Sequence, residues 1–399
     1  MFINRQLSPT LRRFAKFPVV VLLGPRQSGK TTLAQHTFPN HRYFSLEHPA
    51  TLDHITRDPE GFLTEFENEH GLIFDEFQHF PQLLSYLQLA VDVHDRPGYF
   101  VLTGSQNFLM NQAITQSLAG RAGILHLLPL SIQESQSGQL LPKTAAQLII
   151  KGGYPRTYAK DFAATEFYPA YINTYVERDA RLLINVGNLQ KFRNFMQLCA
   201  GRIGQQLNLN DLATICGVAR QTAEQWLSIL EASYIIFFLR PYFKNFNKRI
   251  SKIPKLYFYD TGLACNLLGI QSASELMLSP FRGALFESLM VADFHKQYYN
   301  LGLTPQLYYW RDKNGRIEVD CLVDQGIKLI PIELKAGATI NPDFFTSLQE
   351  WSKLAAVDPA SGYIVYGGDQ PQTRSQGHVI GWEAAGELIM TLEGGRQRD

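Results

Sequence analysis

The segment from residue 17 to residue 38, FPVVVLLGPRQSGKTTLAQHTF, constrains the fold more than any other part of this chain. Its apolar run at residues 19–23 predicts a buried strand, a loop follows, and the rest has a helical pattern. Four residues fit the pattern GxxxxGK followed by Ser or Thr: Gly24, Gly29, Lys30 and Thr31. Strand, loop and helix are the context that this pattern requires, so the sequence predicts a phosphate-binding loop rather than a chance glycine-rich turn.

Each residue type in this loop has a physical task. Gly24 and Gly29 let the backbone turn so that its N–H groups point at phosphate oxygens, at the positive end of the following helix. Lys30 would neutralise the β and γ phosphates, and the Thr31 hydroxyl would bind magnesium. We therefore expect ATP and Mg²⁺ as cofactors. The predicted nucleotide contacts are Gly24, Pro25, Arg26, Gln27, Ser28, Gly29, Lys30, Thr31, Thr32 and Ser105.

A second strand with acids at its end is needed for the metal, and residues 71–76 read GLIFDE. Asp75 is predicted to stand on the magnesium side. Glu76 is predicted to be catalytic, because an ionised carboxylate can polarise a water molecule for attack on the γ phosphate. The alternative is that the two acids merely end a strand.

Polar residues also follow a third apolar run, at residues 99–103. In an open parallel sheet, the carboxyl ends of the strands face the ligand crevice, so Ser105 or Gln106 could contact the attacking water or the γ phosphate. Capping of a loop is the alternative. Further on, Arg121 follows a glycine and could reach the nucleotide of a neighbouring subunit as an arginine finger. A solvated surface arginine is the competing interpretation.

Composition excludes several classes of protein. The 399 residues predict two or three domains at roughly 150 residues each, with ample chain for several cores. The net charge of +1 means that any nucleic-acid surface must be a local patch. The four cysteines contain no CxxC pair, which argues against a structural zinc site. No apolar run approaches a membrane span and no signal-peptide pattern is present, so we expect a cytoplasmic protein.

Residues 207–231, LNLNDLATICGVARQTAEQWLSILE, have the spacing of a helix-turn-helix broken at Gly217. The second helix should bury Trp226, Leu227 and Leu230 and expose polar side chains that could contact DNA. Two strand-like runs follow at 234–239 and 255–259, joined by four cations without an intervening acid, which predicts a winged helix. The predicted DNA contacts are Arg220, Gln221, Gln225, Lys244, Lys248, Arg249 and Lys252, with protein contact or simple solvation as alternatives.

The C-terminal third combines a helix with a hairpin and a further strand. Glu287 lies within the apolar face of the helix, where a buried acid needs a partner. Asp320 lies on the returning strand of the hairpin. Glu333 and Lys335 share a face of the next strand, because side chains two residues apart point the same way. These four residues resemble the D…ExK core of the restriction-endonuclease-like nucleases. That resemblance implies that Asp320 and Glu333 hold magnesium, that Lys335 positions water, and that Glu287 completes the acidic cluster, while the fold alone does not establish cleavage.

The segments VVLLGPRQSGKTT, LIFDEFQ, YFVLTGSQ, SLAGR and GGYPRTY together resemble the AAA-family ATPases of bacteria and archaea that carry a C-terminal domain of unknown function. In that family a helical lid carries an E-x-D signature, which Glu177 and Asp179 reproduce. The resemblance implies that these two acids lie near the nucleotide, that Arg156 or Arg178 contacts phosphate, and that the protein is a homo-oligomer, such as a ring. From the residues alone, the segment indicates an amphipathic helix, and a structural ion-pair role stays open.

The predicted fold class is α/β, with a P-loop AAA-type core, a helical lid, a winged helix and a C-terminal PD-(D/E)XK-like α/β domain. The predicted boundaries are 1–145, 146–185, 186–262 and 263–399. The predicted function is an ATPase that binds branched or duplex DNA and couples ATP turnover to rearrangement of DNA or subunits. The alternatives are an ATP-regulated metal-dependent DNA nuclease and a nucleotide-gated interaction or defence switch with an inert nuclease fold.

Overall fold

A computed structural model of the chain describes residues 2–105, 114, 117–176, 189–243, 253–312 and 314–394. Its described residues fall into two compact units. The first comprises the described part of residues 2–130, with Ala232–Tyr234 and Tyr299–Leu303, and the second comprises the other described residues. No helix among the described residues is long and apolar enough to cross a membrane.

The first unit is built on a sheet of five parallel strands in the order β2-β3-β4-β1-β5. The strands are β1 (Val19–Leu23), β2 (Arg42–Ser45), β3 (Leu72–Asp75), β4 (Phe100–Gly104) and β5 (Ala122–His126). Strand β4 lies between β1 and β3, so the residues that follow all three strands share one edge of the sheet. This topology confirms the predicted α/β class with a parallel sheet at its core.

Strands β1, β3 and β4 are buried along their whole length, as expected where helices cover both faces of a parallel sheet. The helices of this unit are α1 (Ser8–Phe14), α2 (Lys30–Thr37), α3 (Pro49–Arg57), α4 (Pro59–Glu65) and α5 (Leu83–Val93), with a short 3₁₀ turn at Phe77–His79. On one face, β1 side chains pack with Phe62, Phe74 and Leu87; on the other, they pack with Leu11 and Leu33.

The second unit begins with short helices, and the GGYPRTY segment, residues 152–158, lies among them. Its helices up to residue 200 are α6 (Ile132–Ser137), α7 (Ala145–Lys151), α8 (Pro155–Ala159), α9 (Ala164–Tyr171) and α10 (Leu189–Ala200), with a π turn at Ile172–Val176. The buried Asp260 carboxylate accepts hydrogen bonds from the Gly153 N–H and the Tyr168 hydroxyl, both at 2.7 Å. This acid therefore ties the glycine pair to a later part of the chain.

The helix-turn-helix spacing is present as two helices, α11 (Leu209–Cys216) and α12 (Arg220–Ala232). The Asn208 side chain caps α11, and Gly217 ends it with a φ of 64°, a backbone conformation that favours glycine. On α12, Trp226 packs its ring against Phe192 and Phe195, with centroids 5.4 and 5.3 Å away. The expected buried side, Trp226, Leu227 and Leu230, is buried.

An eight-stranded sheet in the order β12-β13-β11-β10-β9-β8-β6-β7 runs through the rest of this unit. Its strands are β6 (Ile236–Pro241), β7 (Lys255–Phe258), β8 (Leu307–Arg311), β9 (Glu318–Asp324), β10 (Leu329–Lys335), β11 (Tyr363–Tyr366), β12 (Gln372–Arg374) and β13 (Gly377–Gly381). The remaining helices are α13 (Thr261–Leu267), α14 (Ala273–Leu278), α15 (Arg282–Leu301), α16 (Thr346–Ala355) and α17 (Ala385–Gly394).

The hairpin β6-β7 differs from the expectation of a separate wing. Strand β6 pairs in parallel with β8, where Arg240 faces Tyr308, so both strands of the hairpin extend the C-terminal sheet. The sequence-based boundary at residue 262 falls inside this sheet. The physical reason is that a local apolar pattern indicates a strand without indicating which distant strand it pairs with.

Candidate nucleotide-binding site

The loop between β1 and α2 has the backbone geometry of a phosphate cradle. Gly29 has a φ of 94°, which only glycine adopts at little cost. A Cβ at Gly24 would collide with the carbonyl oxygen of Leu127, so the loop also needs glycine there for close backbone approach. The Lys30 ammonium donates hydrogen bonds to the carbonyl oxygens of Gly24 at 3.1 Å and Pro25 at 2.9 Å. The Lys30 side chain therefore lies over the loop whose bound phosphates it is predicted to neutralise.

The Ser28 side chain and the start of α2 fit a phosphate group. The Ser28 hydroxyl is buried, has no hydrogen-bond partner among the described residues, and can donate to a phosphate oxygen. A Cβ built at Gly29 would lie 3.8 Å from an Arg5 nitrogen, an ordinary van der Waals distance. The start of α2 supplies the positive end of a helix at the same place.

Thr31 and Asp75 form a pair suited to magnesium. The Thr31 hydroxyl lies 2.9 Å from both carboxylate oxygens of Asp75, the last residue of β3. Asp75 also accepts hydrogen bonds from Thr103 and, at 2.8 Å, from Tyr43. Burial, and then the bond to Asp75, raise the pKa of the Tyr43 hydroxyl, so it stays a donor at neutral pH. Hydroxyl and carboxylate oxygens are the ligands that Mg²⁺ prefers, so these residues fit that ion.

Glu76 and Ser105 are joined by a residue that the sequence did not single out. The Gln78 side-chain amide donates to a carboxylate oxygen of Glu76 and, at 3.1 Å, to the Ser105 hydroxyl. A Cβ at Gly104 would stand 2.5 Å from the Gln78 Oε1, so the glycine that ends β4 makes room for this amide. Polar groups at the ends of β3 and β4 thus form one hydrogen-bonded set beside the phosphate loop.

Family models match three successive parts of the chain. Residues 16–136 match a family described as AAA domain, and residues 142–274 and 282–385 match two domains of unknown function, DUF8612 and DUF4143. The uncharacterised protein Rv2008c of Mycobacterium tuberculosis is 32% identical over 375 residues, which cover 92% of this chain and 80% of that protein. The same figures hold for Mb2031c of Mycobacterium bovis. This chain belongs to the Rv2008c family.

Solved structures with weaker likeness include the Walker-type ATPase PABY2304 of Pyrococcus abyssi, with a TM-score of 0.42 and 15% identity over 67% of this chain and 96% of that one. The RuvB Holliday junction branch migration motor of Thermotoga maritima has a TM-score of 0.31 and 21% identity, over 58% and 87% of the two chains. The Aeropyrum pernix ORC1 protein in complex with DNA has a TM-score of 0.29 and 13% identity, over 71% and 95%.

In this member of the Rv2008c family, the phosphate loop is held by an arginine outside the motif. The Arg5 guanidinium is buried and donates to the carbonyl oxygens of Ser28 at 2.7 Å and Leu128 at 2.6 Å. Sequence reasoning missed it because Arg5 lies 23 positions before Ser28 and belongs to no local pattern. Only the tertiary fold brings these residues together.

The predicted arginine finger has a partner within its own chain. The Arg121 Nε donates to Asp92 on α5 at 2.6 Å, and about a third of the arginine side chain is exposed, 34%. Arg156 is exposed and lies over the Phe162 ring at 5.9 Å. The lid residues Glu177, Arg178 and Asp179, and also Gln106, lie outside the described residues.

Asp320, Glu333 and Lys335 come together in the second unit. The Lys335 ammonium lies 2.5 Å from a Glu333 oxygen and 3.6 Å from an Asp320 oxygen. Burial, followed by the charge of Asp320, raises the pKa of the Glu333 carboxyl. Glu287 pairs with Lys255 at 3.0 Å and also interacts electrostatically with Asp320. Among the described residues, no group of three or more His, Cys, Asp or Glu side chains is arranged to hold a metal ion.

The predicted DNA-contacting residues on α12, Arg220, Gln221 and Gln225, are exposed. The four loop cations Lys244, Lys248, Arg249 and Lys252 lie outside the described residues.

Proposed function

We propose that this protein is a Mg²⁺-dependent ATPase whose AAA-type core binds and hydrolyses ATP at the loop between β1 and α2. The observation that carries the proposal is the Thr31–Asp75 pair beside a glycine-built loop in which the buried Ser28 hydroxyl has no partner among the described residues. Thr31 and Asp75 would hold Mg²⁺, which supplies charge neutralisation to the phosphates when bound. The other nucleotide contacts are those of the loop and Ser105, as the sequence predicts.

Glu76 is the proposed general base. It follows β3 directly, next to the acid that would hold the metal, and its carboxylate is oriented by the Gln78 amide. In this role, Glu76 accepts a proton from the attacking water, while Gln78 and Ser105 keep the carboxylate and the water aligned. Lys30 places a positive charge where negative charge develops on the phosphates.

Steady-state ATP hydrolysis with two variants tests this assignment. Lys30→Ala should abolish ATP binding, because it removes the cation that pairs with the phosphates. Glu76→Gln should keep binding and reduce kcat at least about 100-fold, since a positioned base contributes a factor of that order. Glu69→Gln, at a carboxylate that is 84% exposed, is the control and should turn over ATP like the wild type. Wild-type turnover by the Glu76→Gln variant would overturn the assignment.

We further propose that the helix-turn-helix binds duplex or branched DNA through α12. The observation that favours this function is that α12 has one buried face and one exposed face. Trp226 is buried in the core, while Arg220, Gln221 and Gln225 are exposed to solvent. Such side chains can donate to phosphates and to base edges. ATP turnover would then serve to rearrange DNA or subunits in a cytoplasmic homo-oligomer, such as a ring.

Gel shifts with duplex, Holliday-junction and single-stranded DNA at several salt concentrations test this second proposal. Replacing Arg220, Gln221 and Gln225 together by alanine should raise Kd at least about tenfold, because each lost contact costs about 1 kcal/mol or more. Glu224→Ala, at an exposed position on the same helix, is the matched control and should not weaken binding. Unchanged binding by the triple variant would remove α12 as the contact surface and leave the nucleotide-gated switch as the better alternative.

A further inference from the structure

A buried lysine stands inside the acidic cluster of the second unit. Lys255 begins β7, and its side chain is only 3% exposed. Its ammonium lies 3.0 Å from an oxygen of Glu287 on α15 and 2.5 Å from an oxygen of Glu318 on β9. A buried ammonium cannot be solvated by water, so it is held by the acids around it.

Glu287 forms its ion pair with Lys255 through one carboxylate oxygen. The oxygen that faces Lys255 also accepts a hydrogen bond from the Tyr257 hydroxyl. The Glu287 side chain is 15% exposed, against 3% for Lys255. One oxygen of this carboxylate is therefore bound by two donors of the protein, Lys255 and Tyr257.

The remaining acids of the cluster also have cationic partners. Lys335 lies between Glu333 and Asp320, and the Asp320 carboxylate additionally accepts the Leu334 N–H at 2.9 Å. Arg311 pairs with Glu318 at 3.3 Å. Four carboxylates thus face three cations that the protein itself supplies.

We propose that Lys255 is the internal counter-ion of this cluster and that the cluster is a metal-independent structural junction that joins the β6-β7 hairpin to α15 and β9. The residues present do not fit the metal centre implied by the resemblance to restriction-endonuclease-like enzymes. The acid that should complete that centre is neutralised by a lysine from the neighbouring hairpin. The junction depends on neither ATP nor DNA binding by the protein.

Manganese binding tests the first half of this proposal. Nucleotide-free full-length protein is titrated with MnCl₂ and bound Mn²⁺ is counted by electron paramagnetic resonance. Wild type and Asp320→Asn should bind the same number of ions, and neither should cleave DNA in the presence of Mn²⁺. An ion bound by the wild type and lost in Asp320→Asn would overturn the proposal.

Thermal unfolding tests the second half. Lys255→Met should lower Tm by about 5 to 10 °C, because it leaves Glu287 buried beside no cation. Adding Glu287→Gln should restore much of the loss, since the second change removes the stranded charge. Where Lys255→Met alone is insoluble, recovery of soluble protein by the double variant is the readout. A double variant no better than Lys255→Met would contradict the role of Lys255 as counter-ion.

Discussion

Gln78 links the two polar residues that follow β3 and β4, through hydrogen bonds to Glu76 and Ser105. Gln78→Ala should lower kcat for ATP by about 10- to 100-fold, the range expected when an orienting donor is lost at a reacting centre. KM should change little, because the amide does not touch the phosphate loop. The matched control is Gln35→Ala, on the exposed side of α2. A rise in KM of about 10- to 100-fold with an unchanged kcat would show that Gln78 binds substrate instead of orienting the base.

His295 should make the protein sensitive to acid. His295 packs beside the rings of Phe237 and Tyr259, and its burial lowers its pKa to about 3. The unfolded chain protonates histidine near pH 6.5, so it binds the extra proton first as the pH falls. The contribution of neutral His295 to the free energy of unfolding is therefore complete above about pH 6.5. It is lost from there towards pH 3, by up to about 1.4 kcal/mol per pH unit.

His295→Phe removes this titration and should flatten the acid side of the curve of unfolding free energy against pH. His48→Gln, at an exposed histidine, should leave the curve unchanged. The measurement is urea unfolding at a series of pH values. The same acid slope in His295→Phe as in the wild type would show that this histidine is not the responsible group.

At this scale, the sequence identified residues whose role depends on neighbours in the chain. Lys30 and Thr31 lie within one loop, and Asp75 and Glu76 end one strand, so their types and spacing were informative. Arg5, Gln78 and Lys255 act through partners that only the fold brings close. Gln78 carried one usable signal, because it lies two residues after Glu76 in the same FDEFQ segment.

Among the elements, α12 separates a structural face from a proposed binding face. Trp226→Ala should destabilise the protein by about 3 to 5 kcal/mol, because it empties a site enclosed by Phe192 and Phe195. Arg220→Ala, on the exposed face, should change stability by less than about 0.5 kcal/mol. Urea unfolding gives both values. Similar losses in the two variants would mean that the outer face of α12 is covered.

Individual elements were predictable because apolar periodicity is local. Runs of a few residues predict the strands that end in Asp75, Gly104 and Lys335, and both helices around Gly217. The order of the strands did not follow, because pairing is fixed by packing between distant segments. The parallel pairing of β6 with β8 is the main example, and it turns a predicted wing into part of the C-terminal sheet.

For the whole molecule, the proposed ring predicts that active sites are completed between subunits. The Arg121–Asp92 pair would open so that Arg121 reaches the nucleotide of a neighbour. Arg121→Ala should reduce ATP turnover at least about 100-fold, within the range of arginine-finger effects. Mixing Arg121→Ala with Lys30→Ala subunits should restore part of the activity, because one subunit supplies the loop and the other the arginine. No restoration in a confirmed oligomer would place Arg121 in a structural role.

The central claim is that ATP binds at the loop between β1 and α2 and is cleaved there with the help of Glu76. The nucleotide that the protein retains tests this claim most directly. Wild type, Glu76→Gln and Lys30→Ala are each incubated with labelled ATP and Mg²⁺, desalted, and the bound nucleotide is identified. We expect ADP on the wild type, intact ATP on Glu76→Gln, and no nucleotide on Lys30→Ala. Retained ATP on Lys30→Ala, or ADP on Glu76→Gln in the wild-type amount, would contradict the proposed site.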